Sequence, residues 1–336
     1  MPYRINIQPG NLSLVVESHE TILEAALAQG FRFPYGCDAG SCEVCSGTLT
    51  SGSLHLKTKD IDVFAGDDNS DDVLFCLAQP TSDCTIIMEG VLAPGELPMI
   101  AVSCQVVEVT PYASDTSEIT LRLPAGKKIT FHPGQYLMVI LDEETHCAFS
   151  IGNTPNEERL IKLYVGFANK DKNALRLRSR FVAGNMVKIS LPHGNCYLEN
   201  PTSTAPLYLV AGSTGISQIK SITEQCIAEN HPRQVFIYWG TRSSDELFLH
   251  DYFLQVASTH PNIQYTAVVS ESDKQWQGRT GLVHQAMLDD GHDLTGAEIM
   301  LCGSPPMVYA VLDDLLAIGV QKHQVNSDVF DYAPRD

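Results

Sequence analysis

Four cysteines constrain this 336-residue chain more than any other feature. Three lie in the run Cys37-Asp-Ala-Gly-Ser-Cys42-Glu-Val-Cys45, and Cys76 follows after thirty intervening residues. A short loop of this kind can wrap three thiolates around one centre while a more distant strand supplies the fourth. That is the demand of a [2Fe–2S] cluster, which takes two thiolates per iron and is found with this C-x4-C-x2-C…C spacing. Structural zinc also accepts four cysteines, but zinc motifs pair two short knuckles, and one such knuckle is present here. Gly36 and Gly40 suit a loop whose backbone must turn tightly and aim its amides at sulfur.

Composition narrows what surrounds the loop. Lys and Arg number 22 against 40 Asp and Glu, a net charge of −18, so a nucleic-acid backbone or an anionic membrane is a poor partner. No apolar run approaches the ~20 residues of a membrane span. The opening MPYRINIQPG lacks the charged-then-apolar layout of a secretory leader. Ten cysteines are too sparse for a disulfide framework; the expectation is a cytoplasmic protein with reduced thiols and no membrane insertion. Residues 1–96 hold Arg4, Arg32, Lys57 and Lys59 against fourteen acidic side chains, hence −10. The other 240 residues hold 18 basic and 26 acidic, hence −8. The cysteine-bearing end is therefore a distinct acidic unit. Oligomeric state leaves no trace in the sequence.

At roughly 150 residues per domain, the length predicts two or three domains. Strands over 3–7 and 12–16 read as a hairpin around Pro9-Gly10-Asn11. Ile22, Leu23, Ala26 and Leu27 set a helix over 21–29 that Gly30 ends. A polar stretch follows the cysteine loop, then a strand over 85–88 and a Pro- and Gly-bearing linker over 91–98. Strands over 106–109, 118–121, 136–140, 161–165 and 187–191, with a helix over 173–182, predict a small barrel. Beyond Pro206 the rhythm becomes strand–helix alternation. Strands over 207–211, 235–239, 263–268 and 299–302 and helices over 216–228, 245–257 and 307–318 predict a doubly wound parallel sheet. The divisions are 1–95, 100–200 and 204–336.

The first segment resembles a plant-type ferredoxin, in PYGCDAGSC ahead of Cys76-Leu-Ala-Gln-Pro. The resemblance implies a β-grasp (α+β) domain with Cys37, Cys42, Cys45 and Cys76 as cluster ligands. Glu43 departs from it, standing where that family commonly has glycine. Cys84, Cys104, Cys196 and Cys226 fall outside the pattern and read as small buried residues.

The second segment, in Pro133-Gly134-Gln135-Tyr136 and Phe149-Ser150-Ile151-Gly152-Asn153, resembles the antiparallel β-barrel flavin domain of the ferredoxin–NAD(P)H reductase superfamily. There the motif Arg-x-Tyr-Ser lays an aromatic ring along the flavin, offers a serine hydroxyl to N5, and neutralises phosphate with arginine. Phe149 and Ser150 take the aromatic and serine places, with Tyr136, Ile151 and Gly152 beside them. Cys147 stands where the arginine belongs, and a thiol makes no bidentate charged contact to phosphate. Lys172 and Asn173, with Lys170 just before them, lead a helix whose first amides favour a diphosphate. The resemblance implies bound FAD rather than FMN, held less tightly than usual. His193, in Pro192-His193-Gly194, reads as a turn residue.

The third segment resembles the same superfamily's α/β Rossmann-like nicotinamide domain. Gly212-Ser213-Thr214-Gly215 sits between a strand and a helix, where small residues let backbone approach a diphosphate; Ser213 replaces the family's second glycine. Gly240, Thr241 and Arg242 match the next strand end, where the adenosine half is held, and Trp276-Gln-Gly-Arg279-Thr-Gly281 adds to the series. Cys302-Gly303-Ser304-Pro305 matches the turn beside the nicotinamide, which makes Cys302 a positioning residue rather than a nucleophile. The tail Asp328-Val329-Phe330-Asp331-Tyr332 resembles the family's aromatic terminus over the flavin, with Phe330 preferred to Tyr332. Arg242 is a single base followed by Asp245 and Glu246, which favours NADH and leaves NADPH open.

The order ferredoxin, flavin barrel, nicotinamide domain resembles the reductase components of benzoate-type dioxygenases and the CDP-6-deoxy-glucoseen reductases. It implies an NAD(P)H-dependent oxidoreductase with Ser150, Cys302 and Phe330 at the reacting centre. Hydride enters as an electron pair, flavin divides it, and the cluster passes electrons singly to a redox protein partner, an oxygenase or dehydrase. The last two segments also resemble NAD(P)H:flavin reductases that use dissociable flavin, a reading Cys147 keeps open. A non-enzymatic electron carrier with a decayed reductase half stays open too, motivated by Cys147 and Ser213.

Overall fold

Gly10 and Asn11 sit at φ 107° and 50°, a left-handed pair that reverses the chain tightly. Strands β1 (Pro2–Gln8) and β2 (Leu12–Glu17) consequently pair antiparallel, with Ile5 opposite Leu14. The computed structural model describes residues 2–126, 129–167, 172–198, 202–271 and 276–335. They form two compact units, Met1–Pro98 and Met99–Asp336.

In the first unit Thr21 caps helix α1 (Ile22–Ala28) through a reciprocal bond pair with Glu24, 3.2 Å from Glu24 N–H to Thr21 Oγ1 and 2.8 Å from Thr21 N–H to Glu24 Oε2. The stretch read as merely polar contains short strands. These are β3 (Ser46–Ser51), β4 (Ser53–Leu56), β5 (Ile61–Phe64), β6 (Val73–Leu74) and β7 (Ala78–Pro80), before the closing β8 (Cys84–Ile87). Each is too short to show an alternating pattern above its polar neighbours. The main sheet runs β2-β1-β8-β3-β6, with β1 and β8 parallel, and β5-β4-β7 form a second. Helix α1 packs Ile22, Leu23, Ala25 and Ala26 into one core with Ile5, Ile7, Phe75 and Ile86. This is the β-grasp expected.

The second unit opens with β9 (Ile100–Pro111), β10 (Thr116–Arg122), β11 (Tyr136–Ile140), β12 (His146–Ser150), β13 (Leu160–Gly166), α2 (Lys172–Arg180) and β14 (Met186–His193). The sheet order is β12-β11-β14-β9-β10-β13. Its edges meet at a seam just past β12, where Gly152 N–H donates to Lys162 O at 2.8 Å and Lys162 N–H to Asn153 Oδ1 at 2.7 Å. Strand β12 pairs residue for residue with β11, from Tyr136↔Ser150 to Ile140↔His146; sequence alone did not separate it from a loop.

Then come β15 (Leu207–Gly212), α3 (Ile216–Ala228), β16 (Val235–Thr241), α4 (His250–Thr259), β17 (Ile263–Val269), β18 (Arg279–Thr280), α5 (Val283–Asp289), β19 (Glu298–Cys302), α6 (Pro305–Ala317), β20 (Val325–Asn326) and α7 (Val329–Tyr332). The sheet β18-β17-β16-β15-β19-β20 is parallel throughout. Its central strands are buried on both faces, as helices on either side require. From β15 the chain moves to β16 on one side and returns to β19 on the other, leaving a crevice at the carboxyl ends of β15 and β19. The single helix expected over 245–257 is instead a turn at Ser244–Glu246 followed by α4. Leu247 and Leu249 are both buried, whereas residues two apart lie on nearly opposite sides of a helix, so the chain leaves the helix through a turn in which His250 N–H donates to Leu247 O at 2.9 Å. Among the described residues no helix is long and apolar enough to cross a membrane.

Candidate functional site

The cysteine loop gathers its thiols two and two. Cys37 and Cys42 are half-buried and in contact; Cys45 and Cys76 are buried and in contact. Phe75 N–H donates to Cys45 O at 3.1 Å, tying the distant ligand to the loop. The Ser41 hydroxyl, 3.4 Å from Cys37 Sγ, then the Ala39 amide and Cys42, draw the Cys37 thiol down to about 6. Burial, then Cys45, push Cys76 up to about 12, opposed by the Gly40 amide. Gly40 has φ 74°, and a Cβ there would meet Leu77 Cδ1 at 2.5 Å; one on Gly36 would lie 3.4 Å from Cys42 Sγ. Among the described residues no three Cys, His, Asp or Glu side chains converge on one ion. Two thiol pairs lined by amides fit the donor set of a two-iron cluster. Glu43 keeps φ 58°, the backbone a glycine would supply.

The residues expected at a flavin divide by face. Tyr136 is directly opposite Ser150 across β11 and β12, and His193 opposite Tyr136 on β14, so these three side chains share one face. Tyr136 stacks on His193 at 5.5 Å, and a Cβ on Gly194 would strike the Tyr136 ring at 2.8 Å. His193 Nε2 lies 2.9 Å from Ser190 Oγ, and burial, then His146, lowers its pKa. The Ser150 hydroxyl makes no hydrogen bond among the described residues. Cys147 and Phe149 pair with Val139 and Leu137 and therefore share the opposite face, half-buried against the barrel core, with Phe149 edge-on to Phe181 at 6.1 Å. The aromatic ring beside Ser150 is thus Tyr136. Lys172 and Asn173 open α2, one residue earlier than expected, and are exposed; Lys170 lies outside the described residues. Tyr136, the free hydroxyl and the Gly194 cradle fit a flavin ring, while Cys147 brings no charge to a phosphate.

The nucleotide turn stands against this face. Gly212 ends β15, Ser213–Gly215 form one tight turn, and α3 follows at once. Ser213 holds φ 49°, and the Trp239 indole donates to its carbonyl at 2.9 Å. A Cβ on Gly215 would strike Cys302 O at 2.2 Å, and one on Gly303 would lie 3.4 Å from Gly212 N. The two turns thus touch backbone to backbone at the crevice, which brings the start of α3 and the Cys302 turn to one edge where a diphosphate could lie across them. Ser304 precedes α6 and Pro305 is its first residue. Gly240 pairs with Gly212, and Thr241 and Arg242 follow at the end of β16. The Arg242 guanidinium is held by Glu246 Oε1 at 2.6 and 3.1 Å.

The tail closes the floor. Asp328 Oδ1 accepts from Asn195 N–H at 2.9 Å and Cys196 N–H at 3.1 Å, and Oδ2 from Gln218 at 2.9 Å. Burial raises the Asp328 carboxyl despite these donors. Cys196 and Cys302 meet as buried thiols beside it. Phe330 turns toward Tyr309, rings 5.9 Å apart, and packs on the nucleotide-side core. Tyr332, 60% exposed, is the tail aromatic that neighbours Tyr136 and Cys302. Val329 is the buried residue of this short helix, and Phe330 beside it packs on the nucleotide-side core.

Residues 5–81 match the model of a 2Fe-2S iron-sulfur cluster binding domain, and residues 209–313 that of an oxidoreductase NAD-binding domain. The chain is 30% identical to the CDP-6-deoxy-L-threo-D-glycero-4-hexulose-3-dehydrase reductase of Yersinia pestis over 98% of its length and 99% of the relative's. It is 28% identical to reductase component 1 of the terephthalate 1,2-dioxygenase of Comamonas sp, covering 99% of each. Its fold is similar to that of the Amycolatopsis cytochrome P450 reductase GcoB, with TM-score 0.66 and 24% identity over 97% of this chain and 98% of that one.

Left-handed backbone costs a non-glycine residue about 1 kcal/mol, so Ser213→Gly is expected to stabilise the second unit by roughly 0.5 kcal/mol after glycine's greater unfolded freedom is subtracted. Both tryptophans, Trp239 and Trp276, lie in that unit, and urea unfolding followed by their fluorescence measures the change. A loss of stability would show that the serine side chain itself holds the turn.

Proposed function

Since the chain belongs to the iron–sulfur flavoprotein reductases of the ferredoxin–NAD(P)H reductase superfamily, we propose that it draws electrons from NADH through FAD to its own cluster and delivers them to a separate oxygenase or dehydrase. It is an NAD(P)H-dependent oxidoreductase; the acceptor, the nucleotide preference and the roles of single residues are the proposal. One observation carries it: Ser217, in the first turn of the helix that follows the nucleotide turn, donates to the Ser150 carbonyl at 2.9 Å. Through this bond the nucleotide side is tied to the strand that carries Ser150.

When bound, flavin accepts a hydride as an electron pair and releases the electrons one at a time. Ser150 offers its hydroxyl to the ring nitrogen that receives hydride. Tyr136 and Tyr332 supply aromatic surface, the latter excluding water from the flavin face. Gly212–Gly215 and the Cys302–Pro305 turn hold the dinucleotide, with Cys302 positioning the nicotinamide. Cys37, Cys42, Cys45 and Cys76 would hold the cluster. The segments 1–95, 100–200 and 204–336 thus each take one cofactor. The relatives include one reductase named for a dehydrase and one that is a dioxygenase component, which supports a protein acceptor of either kind. The excess of acidic residues before residue 97 suits an acceptor with a basic docking face, and the free thiols suit the cytoplasm.

An anaerobic titration with NADH of protein desalted without added flavin tests this reading. Flavin and cluster bands are expected to bleach together, whereas Cys42→Ser is expected to abolish electron delivery to an external acceptor while flavin still bleaches. Loss of flavin bleaching in a folded Cys42→Ser protein would overturn the modular order.

Cys147 favours a second reading, in which flavin exchanges freely as a substrate. Cys147 lies on the Phe149 face, half-buried against the barrel core, so Cys147→Arg is expected to tighten flavin binding about tenfold, or about 1.4 kcal/mol, where the longer arginine extends past that core to a phosphate. An unchanged dissociation constant, measured by fluorescence quenching, would place position 147 away from the phosphate.

Glu246 already occupies Arg242, so a 2′-phosphate would have to displace one carboxylate and face its charge. Glu246→Gln is accordingly expected to raise kcat/KM for NADPH relative to NADH by about tenfold; an unchanged ratio would remove Arg242 from the adenosine site.

A further inference from the structure

Helix α3 is buried on polar side chains. Ser217, Gln218, Lys220 and Ser221 are 2, 5, 6 and 0% exposed. Ser217, Lys220, Ser221 and Glu224 recur at the three- and four-residue spacing of one helical face. That face reads the backbone just past β12 in register. Ser217 Oγ donates to Ser150 O at 2.9 Å, Lys220 Nζ to Gly152 O at 3.0 Å, and Ser221 Oγ to Asn153 O at 2.9 Å. Glu224 Oε2 accepts from Thr154 N–H at 3.2 Å.

Lys220 is the member that burial penalises most. An ammonium withdrawn from water needs compensating partners, and it has three: the Gly152 carbonyl, the Glu224 carboxylate and the Tyr252 ring 5.0 Å beneath. Apolar residues of similar volume often serve stability as well as a buried ion pair does. What a packed leucine or methionine would not do is fix the Gly152 carbonyl at one distance from the helix axis. The same helix begins one residue after Gly215, so the nucleotide turn and the Lys220 row belong to one rigid rod. The strand that the row grips carries Ser150 two residues before Gly152.

We propose that Lys220, seconded by Ser217, is a positioning residue for hydride transfer, holding the Ser150 strand at a set distance from the turn that carries the nucleotide. The inference rests on the reductase reading above. No group of the row gains or loses a proton or an electron in the reaction. The row acts on distance alone, and a displacement of about 1 Å at a reacting pair can lower its rate on the order of a hundredfold.

The test compares the full-length holoenzyme with Lys220→Met, Lys220→Arg and Ser217→Ala. At saturating NADH, single-turnover flavin reduction is expected to slow about tenfold or more in Lys220→Met. Half-saturation by NADH should stay within about twofold, and Lys220→Arg, which can reach the same carbonyl, should recover much of the rate. Amide hydrogen exchange over residues 150–154 is expected to quicken in Lys220→Met with flavin present or stripped, a readout independent of turnover. An unchanged limiting rate, or a rate loss that saturating nucleotide repairs, would overturn the positioning role while leaving the reductase reading intact. Failure of the wild-type protein to be reduced by either nucleotide would defeat that reading first, and the role with it. Should Lys220→Met not fold, Ser217→Ala decides by the same rate and exchange measurements, with equality to wild type counting against the proposal.

Discussion

An edge strand must find partners for its backbone, and in this protein the second unit is organised around one such need. The barrel closes imperfectly just past β12, where its own strands satisfy the amide of Gly152. The carbonyls of Ser150, Gly152 and Asn153 take their donors from a helix of the nucleotide sheet. Buried carbonyls without partners are costly, so the sheet that binds one cofactor completes the barrel that binds the other. Closing the barrel and aligning the two binding faces are one event.

That arrangement explains why polar residues sit where a core would be expected. Gln218 reaches Gly134 O at 2.6 Å and shares Asp328 with the amides of Asn195 and Cys196. The bonds to Gly134, Asn195 and Cys196 each join a turn of the barrel to a piece of the nucleotide half. Trp239 serves the same economy from the other side: its indole secures Ser213 in a backbone conformation that glycine would adopt without help.

The cluster loop was legible because its chemistry is written in covalent spacing, which no packing can alter. The alternation beyond Pro206 was legible too, since its central strands are apolar on both faces and its helices long. Failures came where sequence periodicity has two physical meanings. Ser217, Lys220, Ser221 and Glu224 form the polar stripe of an ordinary surface helix, and nothing local distinguishes water from a row of carbonyls as the thing that stripe faces. Phe149 and Ser150 are neighbours in sequence, yet a strand sends them to opposite faces, so a motif read as a unit is split by its pleat. Leu247 and Leu249 broke a predicted helix because burial, which the chain does not announce, outweighed propensity. In the tail, the sequence favoured Phe330 over Tyr332, and packing gives the two rings different surroundings, Phe330 on the nucleotide-side core and Tyr332 exposed.

The clasp at Asp328 bears on how such chains can be recombined. It links positions 132 and 133 residues apart in sequence, and the α3 row spans 67 to 70 more. A crossover between homologous chains placed near residue 98 would cut between two units that each keep their own core. One placed near residue 203 would pair a barrel from one parent with a helix face selected against another parent's backbone. Flavin and nucleotide halves of such reductases must therefore be inherited together.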